Sequence, residues 1–148
     1  MSEYESHEYD VVVIGAGGAG LRAAIESARS GAKTAIICKS LLGKAHTVMA
    51  EGGAAAALGN ADDRDGWKTH FKDTMKGGKY LNNWRMAQIH AQESADRVRE
   101  LEQWGAVFDR TPSGLINQRN FGGHTYPRLA HVGDSTGLEI IRTLQEKG

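Results

Sequence analysis

Residues 9–20 read YDVVVIGAGGAG, a short apolar run rich in β-branched side chains that leads directly into a cluster of glycines. The run predicts a strand that is buried on both faces. Gly15, Gly17 and Gly20 have the G-x-G-x-x-G spacing, in which the first glycine allows a tight turn, the second lets the backbone approach a pyrophosphate, and the third lets a helix pack against the strand. This stretch therefore predicts the start of a dinucleotide-binding fold.

The residues that follow complete a strand–helix–strand unit. Apolar residues at helical spacing predict a helix through Ser30 with Gly31 as its C-cap, and residues 33–38 predict a second buried strand. A lone glycine motif is weak evidence, since a glycine-rich turn can also serve packing alone, but its position between a strand and a helix favours binding. We expect an α/β fold in which free N–H groups at the start of the helix hold a pyrophosphate.

The composition is that of an ordinary globular domain: 40% of the 148 residues are hydrophobic and 24% are charged. The 18 basic residues balance the 18 acidic ones, which argues against nucleic acid as a partner. The single cysteine, Cys38, excludes a disulfide scaffold and a cysteine-ligated metal centre within this chain. The polar, acidic residues 1–5 predict that there is no signal peptide, and no apolar run is long enough to span a bilayer.

The end of the second strand bears on the identity of the dinucleotide. The glycine fingerprint expects Asp or Glu about 20 residues further on, where the carboxylate holds a ribose hydroxyl. Lys39 occupies that place, and a lysine cannot accept a hydrogen bond from a hydroxyl. The substitution disfavours NAD and leaves NADP or FAD open.

The loop after the second strand, residues 41–53, reads LLGKAHTVMAEGG. Its small residues would let a flat ring lie against the backbone. It also contains one imidazole, His46. On composition alone, a histidine in such a loop is more often an exposed side chain without a ligand.

Residues 10–53 resemble the flavoprotein subunit of succinate dehydrogenase and fumarate reductase. The similarity is carried by the glycine cluster, by Lys39, and above all by the segments HTV at 46–48 and AEGG at 50–53. It implies that the cofactor is FAD and that an imidazole nitrogen of His46 is joined to the 8α carbon of its isoalloxazine ring. A neutral imidazole is a suitable nucleophile for such a bond near pH 7. The resemblance implies FAD contacts from Gly15, Ala16, Gly17, Gly18, Ala19, Gly20, Cys38, Lys39, Ser40, Ala45, His46, Thr47, Ala50, Glu51, Gly52 and Gly53.

A later segment, residues 114–123 (GLINQRNFGG), resembles the G-x-I-x-Q-R-x-F-G-G segment of the same family. The phenylalanine of that segment walls a dicarboxylate pocket beside the flavin, which implies that Phe121 and Gly52 face the substrate. Without the resemblance, Phe121 would be interpreted as a core aromatic residue. No catalytic residue and no metal site are expected in this chain, and no role is assigned to His124 or His131.

The rest of the chain predicts three helices. They cover residues 62–79, a long stretch from an N-cap at Asn83 to Trp104, and residues 136–146, the last capped by a side chain of one of the two residues before it. In the first of these helices, three large apolar side chains four positions apart predict core contacts: Trp67, Phe71 and Met75.

Two parallel strands cannot cover their own faces and edges. We therefore expect residues 1–148 to be the N-terminal segment of a Rossmann-like FAD-binding domain, with a capping domain and a C-terminal helical domain outside this chain. The resemblance implies a membrane-associated enzyme of the tricarboxylic acid cycle and electron transport. It would interconvert succinate and fumarate and exchange electrons with a quinone by way of membrane anchor subunits and an iron–sulfur subunit.

The expected location is the cytoplasmic side of a bacterial cell membrane, where partner subunits hold the flavoprotein as a peripheral protein. Two alternatives stay open. One is a relative that holds FAD without a covalent bond, such as L-aspartate oxidase, whose family lacks the histidine at the position of His46. The other is a nucleotide-binding module without catalysis.

Overall fold

A parallel pair of strands and a small antiparallel sheet organise the chain. The computed structural model describes residues 4–148, so part of the segment that predicts the absence of a signal peptide lies outside the described residues. In chain order the elements are β1 (Val11–Ile14), α1 (Gly18–Arg29), β2 (Thr34–Ile37), a 3₁₀ helix (His46–Met49), β3 (Ala54–Ala55), α2 (Trp67–Gly77), α3 (Trp84–Gln103), β4 (Gln118–Arg119), β5 (Leu129–Ala130) and α4 (Thr136–Lys147). None of the helices described here is both long and apolar enough to cross a membrane.

The predicted strand–helix–strand unit is present, and the α/β fold class is confirmed. Strands β1 and β2 pair in parallel, with Val11 opposite Thr34 and Ile14 opposite Ile37. Helix α1 begins within the glycine cluster and ends just before Gly31, whose φ of +88° is the left-handed conformation expected after a helix C-terminus. The prediction succeeds because the apolar run of each strand and the apolar spacing of the helix are both contained in short stretches of sequence.

The prediction that both strands are buried on both faces is wrong for this chain. Val12 is 50% exposed, Ile14 86% and Ile37 57%. Helix α1 packs on the other face of the pair, where Leu21 and Ile25 join Ile36 in one apolar cluster. No element among residues 4–148 covers the exposed side chains, so an apolar run is not by itself evidence of burial.

The antiparallel sheet was not predicted, because each of its strands is only two residues long. Its order is β3–β5–β4, and Ala130 in the central strand pairs with Ala54 on one side and Gln118 on the other. Side chains from this sheet, α3 and the following loops form one core: Ala56, Val98, Ala106, Phe108, Ile116 and Ala130.

A second core forms where α4 packs against α1. It contains Leu21, Ile25, Ile141 and Leu144. The helix is present as predicted, but its predicted side-chain cap is not: Ser135 occupies the N-cap position and its hydroxyl donates to the Val132 carbonyl instead. The hydroxyl of Thr136 accepts from the Val132 N–H, so these side chains serve the preceding turn rather than the helix.

Helix α3 starts as predicted, since the Asn83 side chain accepts hydrogen bonds from the N–H groups of Arg85 and Met86. The interpretation of α2 is wrong in part. Trp67 is 37% exposed, and the residues of α2 that are buried are His70 and Asp73. The inner face of α2 is polar because it meets a buried arginine from another part of the chain, described below.

Candidate cofactor-binding site

The glycine turn between β1 and α1 has the geometry that its spacing predicts. Gly15 has a φ of +110°, and its N–H donates to the carbonyl of Ile37 at 2.8 Å, which fixes the turn to the end of β2. A Cβ atom at position 20 would lie 1.9 Å from the carbonyl oxygen of Gly15. Glycine is therefore required at position 20 for the helix to start this close to the strand.

The N-terminus of α1 offers backbone N–H groups toward the loop after β2. The N–H of Gly18 donates to the hydroxyl of Thr47 at 3.0 Å, so it is not free, contrary to the simplest expectation. The N–H groups of Gly17 and Ala19 have no acceptor within the described part of the chain. The first turn also lacks an acidic residue, and the positive end of the helix dipole thus remains available to an anion.

A cleft of about 400 Å³ lies between the glycine turn and the loop after β2. Seven of the nine residues that line it belong to the predicted FAD contacts, which shows that residues distant in sequence are brought together: Gly15, Ala16, Cys38, Lys39, Ser40, Ala45 and His46. The other two are Leu41 and Lys44. Lys44 was not predicted, although a lysine in a loop that faces a phosphate site is a signal that could have identified it.

The residues present fit a dinucleotide with a pyrophosphate. Lys39 and Lys44 both line the cleft together with Gly15 and Ala16 of the glycine turn, and positively charged side chains there favour an anion. A Cβ atom at position 17 would lie 3.3 Å from the Cβ of Ala45, so glycine there keeps the passage between the turn and the loop open. The cleft can therefore hold an extended, doubly charged linker against the backbone.

His46 begins the 3₁₀ helix and lines the same cleft, with its side chain exposed. Two hydrogen bonds hold this segment. The hydroxyl of Thr47 accepts from the N–H of Gly18, and the carbonyl of Ala50 accepts from the N–H of Gly137 at 2.7 Å. The imidazole is thus accessible to a cofactor while its backbone is fixed to α1 and α4.

The other predicted contacts do not line the cleft: residues 17–20 and Thr47 lie at the start of α1 and in the 3₁₀ helix, and residues 50–53 follow that helix, with Gly52 next to Phe121. Phe121 is 60% exposed, so its alternative interpretation as a core aromatic residue is wrong. A Cβ atom on Gly52 would lie 3.8 Å from Cε2 of Phe121, which places the two predicted substrate-facing residues side by side. Arg119, not singled out from the sequence, donates from Nε to the carbonyl of Gly52 at 2.8 Å.

The chain also contains a buried ionic cluster that was not predicted from the sequence. Arg128 is fully buried, and its Nη2 lies 2.8 Å from Asp65 and 3.0 Å from Asp73. Burial raises the pKa of Asp65, although Arg128 acts against this rise. Burial also acts to raise the pKa of Asp73, but two hydrogen bonds from Thr125 and the charge of Arg128 outweigh it, and the pKa is lowered.

Three histidines adjoin this cluster. The ring centroid of His70 lies 5.1 Å from that of His90 and 6.3 Å from that of His124, which in turn lies 6.5 Å from the ring of Phe121. Burial and the charge of Arg128 lower the pKa of His70 to about 4, and the same two causes lower the pKa of His124. No group of three or more His, Cys, Asp or Glu within residues 4–148 is arranged to hold a metal ion.

Comparisons with known proteins give the family of the chain. The chain is 48% identical over 146 residues to one of the subunits of the CoM/CoB fumarate reductase of Methanothermobacter marburgensis, a match that covers 98% of this chain and 27% of the relative. It is 42% identical to the succinate dehydrogenase flavoprotein subunit of Rickettsia felis, covering 95% of this chain and 25% of the relative. The chain thus spans about a quarter of the length of these curated relatives.

The fold also matches a solved structure, Mycobacterium smegmatis Sdh1 in complex with UQ1. The identity is 72% and the TM-score 0.93, over 95% of this chain and 24% of the solved one. These relatives are flavoprotein oxidoreductases of the succinate dehydrogenase and fumarate reductase type. The family model for the FAD binding domain matches residues 10–148, and the chain therefore belongs to that family, FAD_binding_2.

Proposed function

We propose that the whole protein is an FAD-dependent oxidoreductase that interconverts succinate and fumarate, and that this segment binds FAD and joins it covalently through His46. The observation that carries the proposal is the position of His46 at the cleft beside the glycine turn, in a chain 72% identical to the matched part of Mycobacterium smegmatis Sdh1. The names of the relatives indicate the substrates, and the chemistry of this chain's residues supports the mode of binding.

The pyrophosphate of FAD is assigned to the N-terminus of α1. The free N–H groups of Gly17 and Ala19 would donate to its oxygens, and Lys39 and Lys44 would balance its charge. Because the N–H of Gly18 donates to the hydroxyl of Thr47, the proposed phosphate end of the site is fixed relative to the segment that carries His46.

When bound, FAD would supply the redox chemistry, since its isoalloxazine ring can accept a hydride from a carbon atom of the substrate or return one. The part of this chain is to hold that ring. A covalent bond at His46 would keep the ring beside the 3₁₀ helix and make it a stronger oxidant, which suits removal of a hydride from an unactivated carbon such as that of succinate. The exposed imidazole supports this role because it needs no rearrangement to be reached.

The dicarboxylate is assigned to the surface formed by Gly52 and Phe121. Oxidation of succinate releases two electrons and two protons. We propose that the electrons pass from the flavin to an iron–sulfur subunit and then, by way of membrane anchor subunits, to a quinone, which takes up two electrons and two protons. This would place the protein at the cytoplasmic side of a bacterial membrane as a peripheral subunit of the tricarboxylic acid cycle and electron transport. Fumarate reduction is the same sequence in reverse.

The test uses the full-length protein with its bound cofactor. Under anaerobic conditions, succinate is expected to bleach the flavin absorbance, and fumarate to restore it. L-Aspartate in place of succinate separates this proposal from an aspartate oxidase. Bleaching by L-aspartate alone would contradict the proposal, and a full-length protein that carries no flavin would favour a nucleotide-binding module without redox chemistry.

A further inference from the structure

Arg119 joins three separated parts of the chain through its guanidinium group. Its Nε donates to the carbonyl of Gly52 at 2.8 Å, and its Nη2 donates to the carbonyls of Glu51 at 2.7 Å and Gly133 at 2.9 Å. Its Nη1 donates to the carboxylate of Asp134 at 3.2 Å. The Asp134 side chain is 86% exposed, so the ion pair is a weak contribution and the backbone carbonyls are the main partners.

These contacts fix the peptide planes of the loop that leads from His46 toward Phe121. The carbonyls of residues 50–52 are all held, the first by the N–H of Gly137 and the other two by Arg119. Once three successive carbonyls are held, the directions of the following N–H groups are set as well. The N–H groups of residues 51–53 have no acceptor among residues 4–148, so they are available to a bound molecule.

The loop has little stiffness of its own. Gly52 and Gly53 follow one another, and Gly53 has a φ of +123°, a conformation that only glycine adopts readily. Such a segment has many accessible conformations unless other groups hold it. The planar fork of an arginine can reach several carbonyls in different directions at once, whereas the single ammonium of a lysine cannot reproduce that geometry.

We propose that Arg119 is a positioning residue: it holds the Glu51–Gly52 backbone against Phe121 and thereby sets one wall of the dicarboxylate pocket and the surface on which the flavin lies. The inference rests on the proposed function for the identity of the substrate. It assigns to Arg119 no contact with substrate or cofactor, because its donors are directed at backbone carbonyls and at Asp134.

The test compares four variants of the full-length, FAD-loaded enzyme. Arg119→Gln removes the charge and the fork, Arg119→Lys keeps the charge, and Asp134→Asn removes only the exposed ion pair. Arg97→Gln changes an arginine of α3 that is half exposed and has one carboxylate partner, and it is the matched surface control. The measurements are KM and kcat for succinate and the visible absorption spectrum of the oxidised flavin.

Arg119→Gln is expected to raise KM for succinate about ten-fold or more and to shift the flavin spectrum, since small displacements of positioning groups cost this much. The KM of Arg119→Lys should lie between that of Arg119→Gln and that of the wild type. The KM values of Asp134→Asn and Arg97→Gln should stay within about two-fold of the wild-type value. The proposal is overturned if Arg119→Gln has the KM and the spectrum of Arg97→Gln.

If Arg119→Gln does not fold, Arg119→Lys decides the question: a raised KM with a shifted spectrum supports the proposal, and wild-type values contradict it. A wild type that does not turn over succinate would refute the proposed function. In that case the flavin spectra of the same variants still test whether Arg119 positions the loop, so the two failures are distinguishable.

Discussion

The hydroxyl of Thr47 accepts a hydrogen bond of 3.0 Å from the backbone N–H of Gly18. This bond ties the first turn of α1, where a pyrophosphate would bind, to the 3₁₀ helix that begins at His46. The contact is also close in a steric sense, because a Cβ atom at position 18 would lie 3.2 Å from the Cγ2 methyl of Thr47. The bond therefore fixes the pyrophosphate end of the candidate cofactor site relative to the segment that carries His46.

Thr47→Val tests this hydrogen bond, since valine keeps the shape of the threonine side chain and lacks the hydroxyl that accepts the bond. We expect the variant to bind FAD about five- to ten-fold more weakly, because one hydrogen bond to a backbone donor contributes about 1 kcal/mol. The measurement is the flavin-to-protein ratio after dialysis, made in a His46→Ser background so that no covalent bond masks the loss. Thr47→Ser keeps the hydroxyl and should retain FAD; equal retention by the serine and valine variants would contradict the role of this bond.

Gly137→Ala is predicted to separate α4 from the 3₁₀ helix. The added Cβ would lie 1.9 Å from the carbonyl oxygen of Thr47, and the N–H of Gly137 would lose its close approach to the Ala50 carbonyl. We expect a lower melting temperature and incomplete covalent flavin attachment. Gly77→Ala, where the new Cβ has no atom within 4 Å, is the control and should be neutral or slightly stabilising.

Arg128→Met is predicted to destabilise the fold by about 3–5 kcal/mol, because it leaves Asp65 and Asp73 buried without their cation. Arg97→Met removes a pair of which the arginine is half exposed and should cost no more than about 1 kcal/mol. Thermal unfolding of the full-length variants measures both. Comparable melting temperatures for the two variants would show that the buried cluster does not stabilise the fold.

Stability is predicted to depend on pH through His70. Its pKa is lowered to about 4, chiefly by burial and then by Arg128, while Asp73 acts in the opposite direction. The unfolded chain, with an ordinary histidine pKa of about 6.5, binds more protons between these values. Stability therefore rises with pH across this window and falls on acidification from about 6.5 to 4, by at most ~1.4 kcal/mol per pH unit.

The comparison is between the wild type and His70→Gln, whose melting temperatures are measured at pH 7.5, 6.0 and 5.0. On acidification, the melting temperature of the wild type should fall further than that of the variant, whatever the difference between the two melting temperatures at pH 7.5. Parallel curves would mean that His70 is protonated as easily in the folded protein as in the unfolded one.

The glycine turn and the strand–helix–strand unit could be predicted because their signals are local. The spacing of Gly15, Gly17 and Gly20 predicts which backbone positions must lack a side chain. The structure leaves no room for a Cβ atom at Gly20, as this spacing predicts. The cap at Asn83 is equally local, since its acceptor reaches N–H groups two and three residues away.

Contacts between distant segments could not be predicted in this way. Arg128 and Asp65 are 63 positions apart, and neither belongs to a motif or a periodic pattern. Arg119 does lie in the segment 114–123 that resembles the family, but nothing in that segment points to its partners at Glu51 and Gly52, which are 68 and 67 positions away. The two-residue strands of the antiparallel sheet are too short for any alternation to be visible. Polar groups buried by tertiary contacts therefore escape a prediction based on local pattern.

The chemical state of His46 in the full-length protein decides whether this segment binds FAD covalently. After denaturation and proteolysis, the peptide that contains His46 is expected to carry the mass of one FAD and to fluoresce as a flavin, and His46→Ser should bind FAD but release it on denaturation. An unmodified His46 peptide, with all flavin free in solution, would contradict the claim that this histidine links the cofactor.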